Sequence, residues 1–185
     1  YYTKVDPKAK AVDVSKEAFT VLISGIDVYG DIAATSRSDV NLLVTVNPLT
    51  KEILMVSIPR DYYVETACDA ADGCGRGQMD KLTHTGLHGA HTTQATLEKL
   101  FGIEINYTLR VNFSSVQTIV DALGGIEVDN PQTFRIGGYT FEPGRIHLDG
   151  DQALMFSRER KSFGEGDRER GRNQMRVFSG ILDKV

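Results

Sequence analysis

The sequence predicts an α/β fold in which helices cover a mixed β-sheet, because strand patterns and helical patterns interleave along the chain without an internal repeat. Its 185 residues, 41% of them hydrophobic, suffice for one compact domain with a sizeable core. No run approaches the ~18 consecutive apolar residues of a membrane-spanning helix, and no signal peptide is visible. These observations favour a globular domain over a repeat protein or a membrane span.

The first half of the chain carries the predicted strands of the sheet. Residues 1–18 are polar and Lys-rich with no clear period, so we interpret them as a lead-in to a domain over residues 19–185. Loops and turns rich in Gly, Pro, Asp and Ser bound three predicted strands, at 19–26, 40–46 and 53–58. Residues 67–79 are predicted to form a loop, and residues 92–100 a helix that ends at Gly102.

The pattern then returns to a strand and a helix. Residues 103–112 alternate as a strand, and Ser114 is predicted to cap a helix over residues 115–123. Apolar residues at helical spacing predict a core stripe on this helix and the one before it: Val116, Ile119, Val120, Leu123, Leu97, Leu100 and Phe101. Such a stripe is typical of ordinary core.

A small β-rich insert is predicted before the C-terminal helices. A strand over residues 126–130 is followed by turns at Gly137-Gly138 and Pro143-Gly144. A helix that begins at Asp149 then delivers Arg158 and Arg160 to its end.

Two carboxylates are expected at one edge of the sheet. Asp27 lies just past one predicted strand and Asp39 just before the next, so antiparallel pairing would bring both to the same edge. With Ser36 and Ser38 nearby they form an oxygen-rich cluster suited to Mg²⁺, which also takes phosphate oxygens as ligands. The alternative is that both aspartates only stabilise turns.

The segment from Arg158 to Arg176 holds seven basic and four acidic residues in a chain whose formal net charge is −4. Six of the seven cations are arginines, whose planar guanidinium groups bind phosphate through paired hydrogen bonds. An acidic chain with one Arg-rich segment is typical of a local anion site, and it argues against a general nucleic-acid partner.

Helical spacing from Asp167 places Arg170 and Gln174 on the same face as the apolar residues that follow them. Both side chains would then be partly buried, and we expect Arg168, Arg172 and Arg176 to extend to the side. The alternative is a salt-bridged terminal helix in which Asp167 caps the helix and pairs with Arg170.

Arg60 follows a predicted strand, and Pro59 fixes the chain direction there. Arg60 could contribute to the same anion site or only form a salt bridge with Asp61. Cation and guanidinium groups together are what a pyrophosphate requires.

Cys68 and Cys74 lie in a turn-rich loop, where a disulfide would indicate an exported protein and two free thiols a cytosolic one. We favour the disulfide. A zinc site is a further alternative, with His84, His88 and His91 at helical spacing near the cysteines, but glycines interrupt that helix and no Cys-x-x-Cys is present.

The sequence contains no Walker motif and no Gly-x-Ser-x-Gly elbow, which argues against ATP binding and serine hydrolase chemistry.

Seven segments of the chain, in order from Phe19 onward, resemble motifs of the LytR–CpsA–Psr family of cell-envelope phosphotransferases. The matching segments are Ile23-Ser-Gly-Ile-Asp27, Ser36-Arg-Ser-Asp39, Met55-Val-Ser-Ile-Pro-Arg-Asp61, Val120-Asp-Ala-Leu-Gly-Gly-Ile126, Leu148-Asp-Gly-Asp-Gln-Ala-Leu154, Ser157-Arg-Glu-Arg160 and Asp167-x-x-Arg170-x-x-x-Gln174. Any one of these motifs is weak alone, and seven in order are specific.

The resemblance implies a three-layer α/β/α domain, with a polyprenyl tail bound in an apolar tunnel between sheet and helices. It also implies a Mg²⁺-dependent enzyme that moves a glycopolymer, such as teichoic acid or capsule polysaccharide, from a polyprenyl (undecaprenyl) pyrophosphate carrier to peptidoglycan or a protein, forming a phosphodiester. It further implies a location on the extracellular face of the cytoplasmic membrane, behind one N-terminal anchor, so residues 1–18 are expected to follow a removed anchor.

The resemblance also assigns roles to particular residues. Asp27 and Asp39 are expected to bind Mg²⁺. The residues expected to contact the pyrophosphate are Arg37, Arg60, Lys81, Arg158, Arg160 and Arg170, supported by Asp167 and Gln174. The sequence departs from the family where Val28 and Tyr29 replace a frequent arginine, and where Leu82-Thr83-His84 follows Lys81. At these positions, a donor or acceptor preference different from the family's is expected.

Two other functions fit the same residues. A non-catalytic module could bind the polyprenyl-pyrophosphate glycan and present it to another enzyme, which would need the arginines more than the metal pair. A polyprenyl-pyrophosphate hydrolase would use water in place of the acceptor sugar. The products of an incubation with carrier, acceptor and Mg²⁺ distinguish the three.

Overall fold

The computed structural model describes residues 2–3, 12–28, 35–68, 73–75, 77–160 and 166–184, without the side chains of Tyr2, Thr3 and Asp167. The chain divides into two compact units, Tyr1–Asn112 and Phe113–Val185. The boundary falls within the domain predicted over residues 19–185. Each unit combines strands with helices, and the predicted α/β class with its mixed sheet is confirmed.

The first unit is built on a five-stranded sheet with the strand order β1-β7-β2-β3-β4. Its elements are, in chain order, β1 (Tyr2–Thr3), β2 (Phe19–Gly25), β3 (Val40–Asn47), β4 (Glu52–Ser57), β5 (Tyr63–Glu65), β6 (Met79–Lys81), α1 (Leu82–Thr85), a 3₁₀ turn (Gly86–His88), α2 (Ala90–Phe101) and β7 (Tyr107–Val111). β2 pairs antiparallel with β3 and parallel with β7, which makes the sheet mixed. The lead-in contributes β1 as an antiparallel partner of β7. This strand was not predicted from the pattern of residues 1–18.

The neighbouring strands β2 and β3 form because they are apolar over most of their length. Five of the seven residues of β2 are buried, as expected for a strand covered on both faces. The core of this unit comprises Leu22, Leu43, Ile58, Val64, Leu82, Leu97 and Ile105. Burial of each large side chain stabilises the fold by about 1.5–3 kcal/mol relative to exposure, so this cluster fixes the sheet edge on which the candidate site lies.

The helix α2 ends as predicted, whereas its predicted core stripe is only partly correct. Gly102 adopts a left-handed conformation with φ 63°, and its amide N–H donates to the carbonyl of Glu98 at 2.8 Å. Leu97 is fully buried, but Leu100 and Phe101 are 41% and 46% exposed. They occupy the last turn of the helix, beyond the buried residues Thr92, Thr93, Thr96 and Leu97 that hold it against the unit.

The second unit contains α3 (Phe113–Ala122), β8 (Ile126–Asn130), β9 (Phe134–Ile136), β10 (Tyr139–Phe141), β11 (Gly144–Leu148), α4 (Gly150–Arg158) and α5 (Gly166–Leu182). β9 pairs with β10 and β11 with β8, both antiparallel, which matches the β-rich insert predicted from the turn residues. α3 begins at Phe113, so Ser114 lies in its first turn and the prediction of Ser114 as the cap is wrong.

An aromatic cluster forms the centre of the second unit. The rings of Phe134, Phe141 and Phe156 lie 5.0–5.4 Å apart between centroids. Val120 is buried beside this cluster, while Ile119 is 39% exposed, so the predicted stripe of α3 includes one residue too many.

The start of α4 is fixed by a capping box. The side chain of Asp149 accepts a hydrogen bond from the Gln152 backbone, and the Gln152 side chain accepts one from the Asp149 backbone. Gly150 donates its backbone N–H to the Asp121 carboxylate of α3 at 2.8 Å, and a Cβ atom at Gly150 would lie only 2.5 Å from the carbonyl oxygen of Gln117. The two helices therefore touch at a glycine, and this contact orients the helix that carries Arg158.

Among the described residues, none of the helices has both the length and the apolar character that crossing a bilayer requires.

Candidate functional site

The predicted pairing of the strands that carry the two aspartates is confirmed. Gly25 at the end of β2 is opposite Val40 at the start of β3, and the amide of Asp39 donates to the Gly25 carbonyl at 2.9 Å. Asp27 follows β2 by two residues and is exposed, while Asp39 is partly buried. The register therefore places both residues at the same edge of the sheet, just beyond the paired residues of β2 and β3.

Asp39 is held by Arg60. Nη1 of Arg60 donates to Oδ1 of Asp39 at 2.7 Å, with 26% and 15% of the two side chains exposed. The alternative partner, Asp61, lies farther away, at 3.7 Å from Arg60 Nε, and instead accepts from Lys81 Nζ at 2.7 Å. Arg60, Asp39, Asp61 and Lys81 thus form one chain of alternating charges, so three of the predicted site residues meet in this unit.

The residue before Asp39 anchors it in the interior. Ser38 is fully buried, its hydroxyl lies 2.8 Å from that of Ser24, and it donates to the side-chain oxygen of Asn41 at 2.7 Å. Asn41 returns a hydrogen bond from its amide to the Ser38 carbonyl at 3.2 Å. A buried network in which each polar group has a partner rigidifies its backbone, so Asp39 and the exposed Arg37 are carried on a fixed segment.

The donor set at this edge fits a hard cation. Asp39 uses Oδ1 to accept from Arg60, so among the described residues its second carboxylate oxygen remains for another ligand. Asp27 adds an exposed carboxylate at the same edge. Carboxylate oxygens beside open solvent are what Mg²⁺ uses when it retains several waters.

The second unit carries the other predicted phosphate ligands. The guanidinium carbon of Arg158, the last residue of α4, lies 4.4 Å from the centroid of the Phe113 ring. Arg160 follows two residues later and is exposed, with the buried Glu159 between them. Arg170 and Gln174 on α5 are half-buried, as predicted, and the side chain of Asp167 lies outside the described residues.

The buried face of α5 is rotated from the predicted one, because Glu169 and Asn173 are buried in place of Arg170 and Gln174. Its most buried residues are Glu169, Asn173, Val177 and Gly180, not the row that runs through Arg170 and Gln174. Glu169 accepts from Arg172 at 2.8 Å and from Arg176 at 2.7 Å. Arg168 and Arg172 are exposed, as expected for side chains that extend to the side, whereas Arg176 is half-buried. Both Arg172 and Arg176 nevertheless bind the buried Glu169 carboxylate, which was not expected.

The neighbouring arginines favour the ionised form of the Glu169 carboxylate. Burial alone would raise the pKa of Glu169, but the hydrogen bonds and charges of Arg176 and Arg172 outweigh burial and leave that pKa below its ordinary value. Salt bridges of this helix are thus present at Arg172 and Arg176, and the predicted pairing of Asp167 with Arg170 lies outside the described residues. Glu169 was missed because a carboxylate in a charge-rich segment gives no sign of burial.

The structure also joins Cys68 to Cys74, with the sulfurs 1.98 Å apart. His88 offers a ring nitrogen within 4.8 Å of both sulfurs, which is the arrangement that suggested zinc. The disulfide uses both thiols, however, and zinc requires thiolates. His84 meanwhile lies 2.8 Å from the Asp80 carboxylate, and this hydrogen bond lowers the pKa of Asp80. The oxidised protein therefore offers no cysteine ligands for zinc at this site.

We predict that intact mass spectrometry of the protein, purified without reductant, will show a gain of two hydrogen atoms on reduction. Closing a loop with a sequence separation of six is expected to stabilise the fold by about 2 kcal/mol. Reduction should therefore also lower the thermal midpoint. Alkylation of two thiols before any reductant is added would contradict the prediction, and the Cys68→Ser, Cys74→Ser double variant is the unreactive control.

The first unit of this α/β protein thus places two carboxylates and two arginines at one edge of its sheet, and these are groups of the kinds that bind cations and phosphate. The chain belongs to the LytR–CpsA–Psr family, since the family model described as LytR_cpsA_psr family matches residues 2–185.

Curated relatives of the chain include proteins named polyisoprenyl-teichoic acid–peptidoglycan teichoic acid transferase TagU. The one from Enterococcus faecalis is 39% identical over 100% of this chain and 60% of its own length. The one from Bacillus cereus is 40% identical over 92% of this chain and 54% of its own length. The chain thus spans little more than half the length of these relatives.

Solved structures show the same fold. The crystal structure of Bacillus subtilis TagU is 38% identical with a TM-score of 0.72, over 91% of this chain and 67% of that one. The structure of TagT bound to LI-WTA is 34% identical with a TM-score of 0.76, over 96% of this chain and 68% of that one. A protein from Streptococcus agalactiae reaches a TM-score of 0.83 at 29% identity, over 96% of this chain and 63% of that one.

Proposed function

We propose that this chain is the catalytic part of a glycopolymer phosphotransferase. Its substrate would be a glycopolymer on a polyprenyl pyrophosphate carrier, and its acceptor a peptidoglycan or glycoprotein hydroxyl. The observation that carries the proposal is the Asp39–Arg60 pair, held at 2.7 Å on a rigid segment at the edge where Asp27 also lies. The names of the curated relatives support the class of substrate and acceptor.

The reaction is a substitution at phosphorus. The acceptor hydroxyl oxygen would form a bond to the phosphorus next to the sugar and release its proton to solvent. The bond from that phosphorus to the bridging oxygen would break. Polyprenyl phosphate leaves, and the glycopolymer is joined to its acceptor by a phosphodiester. Negative charge grows on the phosphate oxygens, so fixed cationic donors near them lower the barrier.

The residues of the first unit have distinct tasks in this scheme. Asp27 and Asp39 would hold Mg²⁺, which when bound neutralises charge on the pyrophosphate. Arg60 orients Asp39 through Nη1 and presents the rest of its guanidinium group to phosphate oxygens. Lys81, fixed by Asp61 at 2.7 Å, adds a second cation, and the exposed Arg37 a third.

In the second unit, the roles of Arg158, Arg160, Arg170, Asp167 and Gln174 as phosphate contacts rest on the family resemblance. Arg158 is ordered by Phe113, and Arg170 and Gln174 are half-buried on α5. Arginines in such settings are oriented before a ligand arrives, which favours binding of a planar or tetrahedral oxyanion.

We place the enzyme at the extracellular face of the cytoplasmic membrane. The Cys68–Cys74 disulfide supports this, because disulfides persist in oxidising compartments. A single-pass anchor that precedes the chain is part of the proposal on the resemblance alone.

The test is to incubate the protein with a polyprenyl-pyrophosphate-linked glycan, peptidoglycan and Mg²⁺, and to analyse the products by mass spectrometry. We expect a glycan–phosphate–peptidoglycan conjugate together with polyprenyl phosphate, and no conjugate when EDTA replaces Mg²⁺. Free glycan phosphate without a conjugate would identify a hydrolase. Binding of the carrier with no product would identify a presenting module, and either result would overturn the transferase proposal.

A further inference from the structure

The segment that carries Arg37 and Asp39 is bound along its length to the α1–3₁₀ segment, residues Leu82–His88. The amide of Ser36 donates to the Gly86 carbonyl at 3.1 Å, and the amide of Ser38 donates to the Thr83 carbonyl at 3.0 Å. These two hydrogen bonds hold the backbone on either side of Arg37. The orientation of Arg37 and Asp39 thus depends on where the α1–3₁₀ segment sits.

The contact between the two segments is too close for any side chain at Gly86. A Cβ atom there would lie 2.4 Å from the Ser36 carbonyl oxygen and 2.7 Å from the Ser38 amide nitrogen. The backbone of Gly86 has an ordinary helical conformation with φ −65°. Close approach, and not a backbone conformation reserved for glycine, is therefore the reason for glycine at this position.

Arg110 bridges the same two segments from the sheet. It lies on β7 and is only 7% exposed, and its Nη2 donates to the Ser36 carbonyl at 2.7 Å and to the Gly86 carbonyl at 3.3 Å. One nitrogen atom thus binds a carbonyl of each partner in the contact. Burial lowers the pKa of the Arg110 guanidinium from its ordinary value, although arginine stays charged in proteins.

The charge of Arg110 is costly to bury, which argues for a role beyond packing. A methionine would fill similar space on β7 without taking a charge out of water. Carbonyl groups that accept from a charged donor form stronger hydrogen bonds than those that accept from a neutral one. The buried guanidinium group therefore serves to fix the positions of Ser36 and Gly86.

We propose that Arg110 is a positioning residue for the reaction, acting through the backbone of Ser36 to fix Arg37 and Asp39. Arg110 does not itself touch the substrate in this scheme. The inference rests on the proposed function for its catalytic consequence, whereas the structural clamp can be measured without any substrate.

Two variants test the proposal. Arg110→Met removes the charge and the hydrogen bonds to Ser36 and Gly86. Arg110→Lys keeps the charge, but its side chain is one bond shorter, so its ammonium group does not occupy the place of Nη2 between the two carbonyls. In native-state hydrogen exchange, the protection of the Ser36 and Ser38 amides should fall at least about tenfold in both variants, while amides of the β2–β3 pair keep theirs. Turnover should fall by up to about a hundredfold, the effect of a small misplacement of catalytic groups.

The kinetic signature separates positioning from general destabilisation. We expect the Mg²⁺ concentration for half-maximal activity to rise about tenfold, as it does when residues that orient metal ligands are lost. Guanidinium ion added to an Arg110→Ala variant should restore part of the activity and of the Ser36 protection. Arg145→Met, which alters an exposed arginine of β11, is the matched control and should change neither.

Each outcome decides the proposal. Unchanged exchange at Ser36 in Arg110→Met, or full transfer at wild-type Mg²⁺ dependence despite faster exchange, would overturn it. If Arg110→Met does not fold, Arg110→Lys gives the same two readouts in a folded protein. Absence of transfer by the wild-type protein would defeat the proposed function alone, because the exchange measurement still tests the clamp.

Discussion

Replacing Asp39 by asparagine should lower the rate of transfer by about a hundredfold to a thousandfold, the usual loss when a group that stabilises transition-state charge is removed. Asparagine keeps the shape of the side chain and an oxygen that can accept from Arg60, now 2.7 Å from Asp39 Oδ1. It removes the negative charge with which Asp39 is proposed to bind Mg²⁺. Initial rates over a Mg²⁺ titration measure both the loss and the rise in the half-saturating concentration.

The same variant should remain folded. Asp39 lies at the sheet edge with 15% of its side chain exposed, so the free energy of unfolding should fall by no more than about 2 kcal/mol. Asp129→Asn makes the same change of charge at an exposed residue of β8 and should leave transfer unaltered. Wild-type transfer by Asp39→Asn at saturating Mg²⁺ would remove Asp39 from the metal site.

Replacing Glu169 by glutamine should give the largest loss of stability, about 2–4 kcal/mol, because it removes the charge from a buried carboxylate that binds two arginines. Glu169 accepts from Arg172 and Arg176, and Arg176 also donates to Asn173 at 2.6 Å. A glutamine can accept from one arginine only, and its amide group would face the donors of the other. Scanning calorimetry should show the midpoint lowered by roughly 5–10 °C.

The control for this substitution is Glu142→Gln, since Glu142 is exposed and its carboxylate accepts a hydrogen bond from Thr133. Its effect on the free energy of unfolding should stay within about 0.5 kcal/mol.

The stabilisation that Glu169 contributes also depends on pH in a fixed direction. The folded-state pKa lies below the unfolded one, so the stabilisation is complete above the unfolded pKa and is lost as the pH falls through the folded pKa. A midpoint for Glu169→Gln equal to that of wild type at neutral pH would show that the pairs contribute nothing.

The sheet edge was predictable because apolar runs and turn residues define β2 and β3 so clearly. Once those strands pair antiparallel, the positions of Asp27 and Asp39 follow from the register. The antiparallel pair of β5 and β6 was not predictable, because each strand has three residues, too few to show a period. Its place depends on contacts made only in the folded chain, such as the hydrogen bond from the Leu82 amide to the Tyr62 carbonyl at 2.8 Å.

The role of Arg110 was missed because β7 buries its polar residues more deeply than its apolar ones, the reverse of the usual strand pattern. Thr108 and Arg110 are its buried residues, while the apolar Leu109 and Val111 are only half-buried. The inner face holds polar partners instead of apolar ones, since Thr108 donates to Gln94 at 2.8 Å and Arg110 to Ser36. The buried row of α5 was missed for a similar reason, because Glu169, Asn173 and Gly180 carry no apolar signal. Polar residues that face inward are recognised only from the partners they meet.

The stacking of Arg158 on Phe113 has a consequence for affinity that lies in conformational entropy. A free arginine samples many rotamers, and ordering such a side chain on binding costs about 0.5–1.5 kcal/mol. With its guanidinium carbon 4.4 Å from the ring centroid, Arg158 is already restricted in the folded protein. Most of that cost therefore falls on folding, and the difference corresponds to roughly a twofold to tenfold gain in affinity for the phosphate ligand proposed for Arg158. Through its contact with the arginine, the Phe113 ring would thus contribute to binding of that ligand.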